Sequence, residues 1–203
     1  MRKISRDDVK DLVKYEKGRD EMRRHLIALK RLRRVPVGEA LTLLFENRET
    51  VLFQIQEMIR TERMVDEEKI GEEIEINNEF IPGQGELSAT LFIEVDEPAR
   101  IREVLDRFQG IDRGRVVYFQ VGDRFRVTGI FEGGRSKEDK ISAVHYVKFP
   151  FTEQARRAFL DLEEPVELVV YHPCYKEITK IEGGTRRSLI EDLTVDLQKP
   201  DFQ

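Results

Sequence analysis

The first part of the chain carries hydrophobic residues at helical spacing. Met22, Leu26 and Leu29 recur at intervals of four and three, which predicts a helix over 19–34. A similar apolar series from Val51 to Ile59 predicts another. A shorter helix is predicted between Ser5 and the interruption at Gly18, whereas the apolar stretch 41–45 fits either a strand or a helical turn. The first 82 residues are therefore expected to be rich in helix.

Beyond the turn-rich segment 77–85 the hydrophobic period shortens toward that of strands. The predicted elements are a strand at 87–95, a helix at 98–108, a hairpin of strands at 115–121 and 124–131, a strand at 141–151, a helix at 152–162, a strand at 166–172, an edge strand at 175–181 and a last helix capped by Thr185. The charged run between the strands ending at 131 and beginning at 141 is expected to be an exposed loop. Strands and helices mixed without strict alternation are typical of the α+β class.

The expected architecture is a helical N-terminal part, residues 1–82, packed on a mixed, mostly antiparallel sheet with covering helices formed by residues 83–203. The two parts are expected to make one compact unit. At 203 residues the chain is long enough to bury a sizeable core. Its 39% hydrophobic and 37% charged residues indicate a globular protein with a heavily charged surface rather than a disordered chain.

Cysteine content and hydropathy predict where the protein works. A single cysteine excludes an intramolecular disulfide. The first thirty residues are highly charged, and no run approaches the roughly 18 apolar residues of a membrane span. We therefore expect a cytoplasmic protein without membrane contact.

Charge is distributed unevenly along the chain. The formal net charge of −5 argues against a general nucleic-acid binder, which normally carries a basic surplus. The helix predicted at 19–34 ends in a basic cluster, Lys30, Arg31, Arg33 and Arg34. This cluster suits the negative end of the helix dipole, and anion or nucleic-acid binding is the alternative. Residues 62–79 carry eight acidic side chains against two basic ones and form either a solvated face or a docking face.

Two histidines are the main candidates for chemistry. Strand alternation places His145 with Val147 and Phe149, and His172 with Val170, so both imidazoles are expected to face a core. If their strands are neighbours, the two rings could bind a transition metal such as iron or zinc with an added carboxylate. The alternative is that each histidine is a core residue bonded to the backbone or to a carboxylate.

The segment EMIRTER, residues 57–63, supplies candidate carboxylates. Glu57 and Arg60 share a helix face at i, i+3 spacing, and Glu62 and Arg63 follow. Ion pairing explains this cluster most simply. The sharper hypothesis is that Glu57 or Glu62 completes a metal site with the histidines.

Five ordered segments carry a family resemblance: GEALTLLFENRETVLFQIQEMIRTER, NNEFIPGQGELSATLFIE, SAVHYVKF, HPCY and RRSLIEDL. Together they resemble an uncharacterised bacterial family known as a domain of unknown function, across nearly the whole chain. The resemblance implies a genomic association with rubrerythrin-like proteins and with iron–sulfur proteins of the heterodisulfide-reductase type. Its motifs fall on Gln56, Glu57, Arg60, Glu62, Arg63, His145, His172, Pro173 and Tyr175.

The sequence is compatible with two functions. The first is a metal-associated accessory protein or enzyme of a cytoplasmic redox or oxidant-defence pathway. It would use His145, His172, Glu57 and Glu62 as ligands, supported by Arg60, Arg63 and Tyr175. The second is a non-catalytic interaction module for an iron–sulfur or rubrerythrin-type partner, in which the basic helix end and the acidic segment make the contacts. A homo-oligomer is compatible with either.

Overall fold

The structure is a computed structural model that describes residues 1–95, 97–133 and 141–195. Its helices are α1 (Leu12–Arg33), α2 (Arg48–Glu62), α3 (Glu67–Asn78), α4 (Ile101–Arg107), α5 (Glu153–Leu160) and α6 (Gly183–Thr194). Its strands are β1 (Arg34–Val37), β2 (Leu41–Glu46), β3 (Glu86–Ile93), β4 (Val117–Val121), β5 (Phe125–Thr128), β6 (Ile130–Phe131), β7 (Val144–Pro150), β8 (Val166–His172) and β9 (Tyr175–Lys180). The loop expected at 134–140 lies outside the described residues.

The strands form two sheets in which every neighbouring pair is antiparallel. Sheet A has the order β1-β2-β3-β7-β6, and sheet B has the order β5-β4-β8-β9. The stretch predicted as one strand at 124–131 is divided between them, because it bends at Gly129 and passes from β5 of sheet B to β6 of sheet A. An ideal Cβ at Gly129 would lie 2.6 Å from Cγ2 of Val147, so only glycine fits this corner without displacing its neighbours.

The inward sides of the two sheets enclose the main hydrophobic core. Alternate residues of each strand, such as Leu43, Leu91 and Leu168, are fully buried there. Phe159 of α5 joins this core at the end where β8 begins, and Phe108 joins it at the end where β8 finishes. Both open ends of the two-sheet core are therefore closed.

The outward side of sheet A is covered by helices. Ile55 of α2 and Ile74 of α3 form a second hydrophobic cluster against which Tyr146 of β7 packs. Tyr146 also stacks on Phe80 with ring centroids 3.9 Å apart. Because neighbouring residues of a strand point to opposite sides, Tyr146 faces the helices and His145 faces the core.

The α+β class is confirmed, with three differences in detail. The expected single mixed sheet is two antiparallel sheets, and β2 pairs with β3 across the expected boundary at residue 82. Gly18 does not end a helix, since α1 continues through it from Leu12 to Arg33. The cost of a helical glycine, about 1 kcal/mol, is small beside the burial of Tyr15 and Leu26 on either side of it.

Candidate functional site

His145 faces the core, as predicted, and is 1% exposed. Its Nε2 lies 2.8 Å from the carbonyl oxygen of Ser142, and because a carbonyl only accepts, Nε2 carries the proton. Its Nδ1 lies 4.0 Å from Oδ2 of Asp112, which is too long for a direct hydrogen bond. The imidazole therefore lies between a backbone carbonyl and a carboxylate that is itself largely buried.

His172, at the end of β8, is 4% exposed and engages both ring nitrogens. The backbone N–H of Cys174 donates to Nδ1 over 3.3 Å, so Nδ1 is the unprotonated nitrogen. Nε2 then donates to the carbonyl oxygen of Gln109 at 3.1 Å. To bind a metal, His172 would have to give up one of these two bonds.

Both histidines border the segment 108–112, which closes this end of the core. The Phe108 ring lies 6.1 Å from the His172 ring and 5.1 Å from the Tyr175 ring. The Tyr175 hydroxyl donates to the carbonyl of Val37 at 2.8 Å and accepts from the N–H of Ala40 at 3.0 Å. The HPCY segment thus connects segment 108–112 with the turn between β1 and β2.

Glu57 lies in a separate cluster between α1 and α2. Arg19 donates to both of its carboxylate oxygens at 2.8 Å, the Tyr15 hydroxyl donates at 2.7 Å, and Arg60 approaches to 3.3 Å. The bidentate Arg19 contact lowers the pKa of Glu57 to about 2 despite partial burial. Glu62 and Arg63 are exposed at the end of α2, and Arg63 ends the helix in the left-handed conformation with φ 50°.

The structure does not bring the four proposed ligands together. α2 packs on the outward side of sheet A, whereas His145 faces the inward side, so the sheet separates Glu57 and Glu62 from the histidines. Within the described ranges there is no group of three or more His, Cys, Asp or Glu side chains placed to hold a metal. A metal site made of both histidines and Glu57 or Glu62 would need α2 to pack beside the histidines, and it does not.

The buried charge pair of Arg33 and Asp192 was not predicted from the sequence. Arg33 is 1% exposed and donates to the carbonyls of Phe45 and Glu46, at 2.8 and 3.1 Å, and to the Asp192 carboxylate. Burial raises the pKa of Asp192 to about 6, and the Arg33 charge partly opposes this shift. Arg33 therefore anchors α1 to β2 and α6, while Arg31 and Arg34 of the same basic cluster are exposed.

A family model described as "Protein of unknown function (DUF3501)" matches residues 3–193. The chain belongs to the DUF3501 family. The structure of this DUF3501 chain is also similar to a crystal structure described as a novel protein of unknown function from Burkholderia pseudomallei. The two chains share 31% sequence identity with a TM-score of 0.86, over 95% of this chain and 100% of that one. A search of curated proteins found no match.

Residues of the motifs that carry the family resemblance make structural contacts in this DUF3501 protein. Gln56, which is 1% exposed, accepts from the N–H of Lys10 at 2.7 Å and donates to the carbonyl of Lys10 at 3.1 Å. It thereby fixes the segment that leads into α1. Like Glu57 and Tyr175, this motif residue connects elements that are distant in sequence.

No described helix is long and apolar enough to cross a bilayer.

The outward side of sheet B differs from that of sheet A. Tyr171 and Ile178 on this side are 58% and 59% exposed. The Arg126 guanidinium lies 3.9 Å from the centre of the Tyr118 ring, and the Lys176 ammonium lies 4.6 Å from that of Tyr171. We call this surface, formed by the outward residues of β5, β4, β8 and β9, the outer face of sheet B.

Proposed function

We propose that this protein is a non-catalytic interaction module that binds an acidic partner protein through the outer face of sheet B. The observation that carries the proposal is the pair of exposed apolar side chains, Tyr171 and Ile178, on a sheet with a positively charged border. Tyrosine and arginine are enriched where protein interfaces concentrate their binding energy.

Cross-strand register organises this face into rows. Tyr118, Val169 and Ile178 are register partners and form an apolar row across the sheet. Tyr171 and its register partner Lys176 occupy the next row. Because Tyr118 and Val169 are only 7% and 5% exposed, Tyr171 and Ile178 are the side chains of these rows that a partner could desolvate.

The charges around this row define the partner. The outward strand positions carry three cations, Arg126, Lys176 and Lys180, against one carboxylate, Glu167. This positive excess is local, because the whole chain has a net charge of −5. An acidic surface with an apolar centre is the complement. Nucleic acid fits less well, because Lys176 and Arg126 already cover the two tyrosine rings on which bases would stack.

The family resemblance supplies the probes. It implies that related proteins are encoded beside rubrerythrin-like and heterodisulfide-reductase-like iron–sulfur proteins, so these are the partners to test. Each candidate partner would be produced from its gene in the same genome. It would then be titrated with this protein by calorimetry at about 0.05 M and about 0.5 M salt. We expect binding at low salt that weakens as the salt concentration rises.

Variants of the face provide the specific test. Tyr171→Ala combined with Ile178→Ala should weaken binding about tenfold or more, as expected for anchor residues. Lys176→Glu with Lys180→Glu should weaken it further and reduce the salt dependence. The matched control reverses two exposed arginines on other elements, Arg102→Glu and Arg157→Glu, and should leave the affinity unchanged. Equal affinity for the parent and the face variants, or no binding to either probe, would refute the proposal.

The metal-associated function retains one observation in its favour. The 4.0 Å between Nδ1 of His145 and Oδ2 of Asp112 is about twice a metal–ligand bond length of roughly 2.0–2.2 Å. Asp112 was not among the predicted ligands. Elemental analysis of protein purified without an affinity tag, beside an Asp112→Asn variant, tests this second candidate. A parent protein with less than about 0.1 metal per chain would eliminate it.

A further inference from the structure

Two exposed helix surfaces of opposite charge lie in one helical layer. The first, on α1, consists of Arg23, Arg24 and Arg31 around Ile27, which is 57% exposed. Residues 24, 27 and 31 follow at spacings of three and four, so they share a face. Within the described ranges none of the three arginines makes an ion pair. We call this surface the arginine ridge.

The second surface lies on α3. Glu68, Glu72 and Glu75 are exposed beside Ile76, which is 60% exposed. Glu72 follows Glu68 by four residues, and Glu75 and Ile76 follow Glu72 by three and four, so all four side chains share one face. These three glutamates also have no ion-pair partner among the described residues. We call this surface the glutamate stripe.

The ridge and the stripe match in length as well as in charge. Arg24 and Arg31 are seven residues apart, as are Glu68 and Glu75, and seven residues of α-helix rise roughly 10 Å. Each surface also presents an exposed isoleucine among its charges. A ridge from one molecule and a stripe from another could therefore pair along two turns of helix.

The position of the two helices favours a second copy of this chain as the occupant. α1 and α3 both contact α2, so the three helices form one layer that carries both the ridge and the stripe. In a twofold-symmetric dimer, a patch that contains both charges is self-complementary, because each copy contributes a ridge and a stripe. We propose that the α1–α2–α3 layer binds a second copy of the chain, with each ridge against the partner's stripe.

Analytical ultracentrifugation tests the association directly. The parent protein should dimerise at about 0.05 M salt, and the dissociation constant should rise at least about tenfold at about 0.5 M salt, because the paired charges are exposed and screened. A parent protein that stays monomeric at low salt up to about 0.1 mM would overturn the proposal.

Charge reversal identifies the surfaces. The ridge variant carries Arg23→Glu, Arg24→Glu and Arg31→Glu, and the stripe variant carries Glu68→Lys, Glu72→Lys and Glu75→Lys. Because Arg, Glu and Lys have similar helix propensities, both variants should keep the helical circular dichroism of the parent. Each variant alone should be monomeric, since like charges would then face each other in both contacts.

Mixing the two variants is the decisive experiment. A ridge of glutamates would then face a stripe of lysines in one contact, and the parental charges would face each other in the other contact. We expect the mixture to form a one-to-one dimer under conditions in which neither variant dimerises. A matched control with three reversals elsewhere, Arg102→Glu, Arg115→Glu and Arg157→Glu, should dimerise like the parent.

The remaining outcomes oppose the proposal. Variants that dimerise as tightly as the parent would show that other surfaces associate. A mixture of folded variants that stays monomeric would show that the ridge and the stripe do not meet, and would leave an acidic partner protein as the occupant of the ridge. If a triple variant does not fold, the single reversals Arg24→Glu and Glu72→Lys repeat the test with smaller shifts.

Discussion

Gly129 offers the most direct test of the two-sheet architecture. An added Cβ would lie 2.6 Å from Cγ2 of Val147, 3.0 Å from Cε1 of Phe149 and 3.1 Å from the carbonyl oxygen of Val117. The last contact involves backbone, so a side-chain rotation cannot relieve all three. Overpacking of this kind costs about 1–3 kcal/mol. For a chain of this length, Gly129→Ala should lower the melting temperature by about 2–12 °C.

The control and the rescue are both available within the chain. Gly71 lies in α3 with nothing within 4 Å of an added Cβ, so Gly71→Ala should raise stability by about 0.5–1 kcal/mol. Val147→Ala removes the nearest clashing atom, and the double variant with Gly129→Ala should be at least about 0.5 kcal/mol more stable than the sum of the single effects. Thermal and urea unfolding measure both. If Gly129→Ala melts like the parent while Gly71→Ala behaves as expected, the strand does not turn this corner tightly.

Further predictions concern buried and paired charges. Arg33→Met would leave the Asp192 carboxylate buried without its cation and should cost about 3–5 kcal/mol in urea unfolding; adding Asp192→Leu should recover most of the loss, and a loss below about 1 kcal/mol would contradict the pairing. The pKa of Asp192 is raised to about 6 in the folded state, from about 3.8 in the unfolded state. The protonated carboxyl therefore stabilises the fold fully below pH 3.8, and this stabilisation is lost as the pH rises through 6. The free energy of unfolding of the parent should decline over this range relative to that of Asp192→Asn. Arg19 lowers the pKa of Glu57 to about 2 in the folded state, from about 4.5 in the unfolded state. The ionised carboxylate therefore stabilises the fold above pH 4.5, and this stabilisation is lost as the pH falls through 2. The difference in the free energy of unfolding between the parent and Glu57→Gln should shrink over this range. Tyr175→Phe removes the hydroxyl that joins β9 to the β1–β2 turn and should cost about 1–3 kcal/mol, with an unchanged melting temperature as the contrary result.

The sequence predicted those parts of the fold that depend on local periodicity. The alternation around His145 and His172 correctly placed both imidazoles inside, because a strand that covers a core alternates strictly. The same periodicity does not show where a strand bends, so the division of 124–131 between two sheets was not predicted. Helix α3 was also missed, because only Ile70 and Ile74 of its twelve residues are buried apolar side chains, and its many glutamates obscure the helical pattern.

The candidate site was harder to predict because it depends on which side of a sheet each element covers. Glu57 and His145 have suitable chemistry, but no local signal shows that sheet A lies between them. Arg33 did carry a signal. It follows Leu26 by seven residues and therefore lies on the buried face of α1, unlike Arg31, whereas Arg34 already belongs to β1. A basic cluster at a helix end thus needs to be divided by helix face before it is interpreted as one surface.

The two proposed surfaces lie on opposite sides of the molecule, and this determines how they combine. The helical layer covers the outward side of sheet A, and the other proposed surface is the outward side of sheet B, with the main core between the two sheets. A dimer formed through the helices therefore leaves both outer faces of sheet B accessible. We expect two partner molecules per dimer, and the ridge variant should bind one partner per monomer with unchanged intrinsic affinity. Loss of partner binding in that folded variant would mean that the two surfaces are not independent.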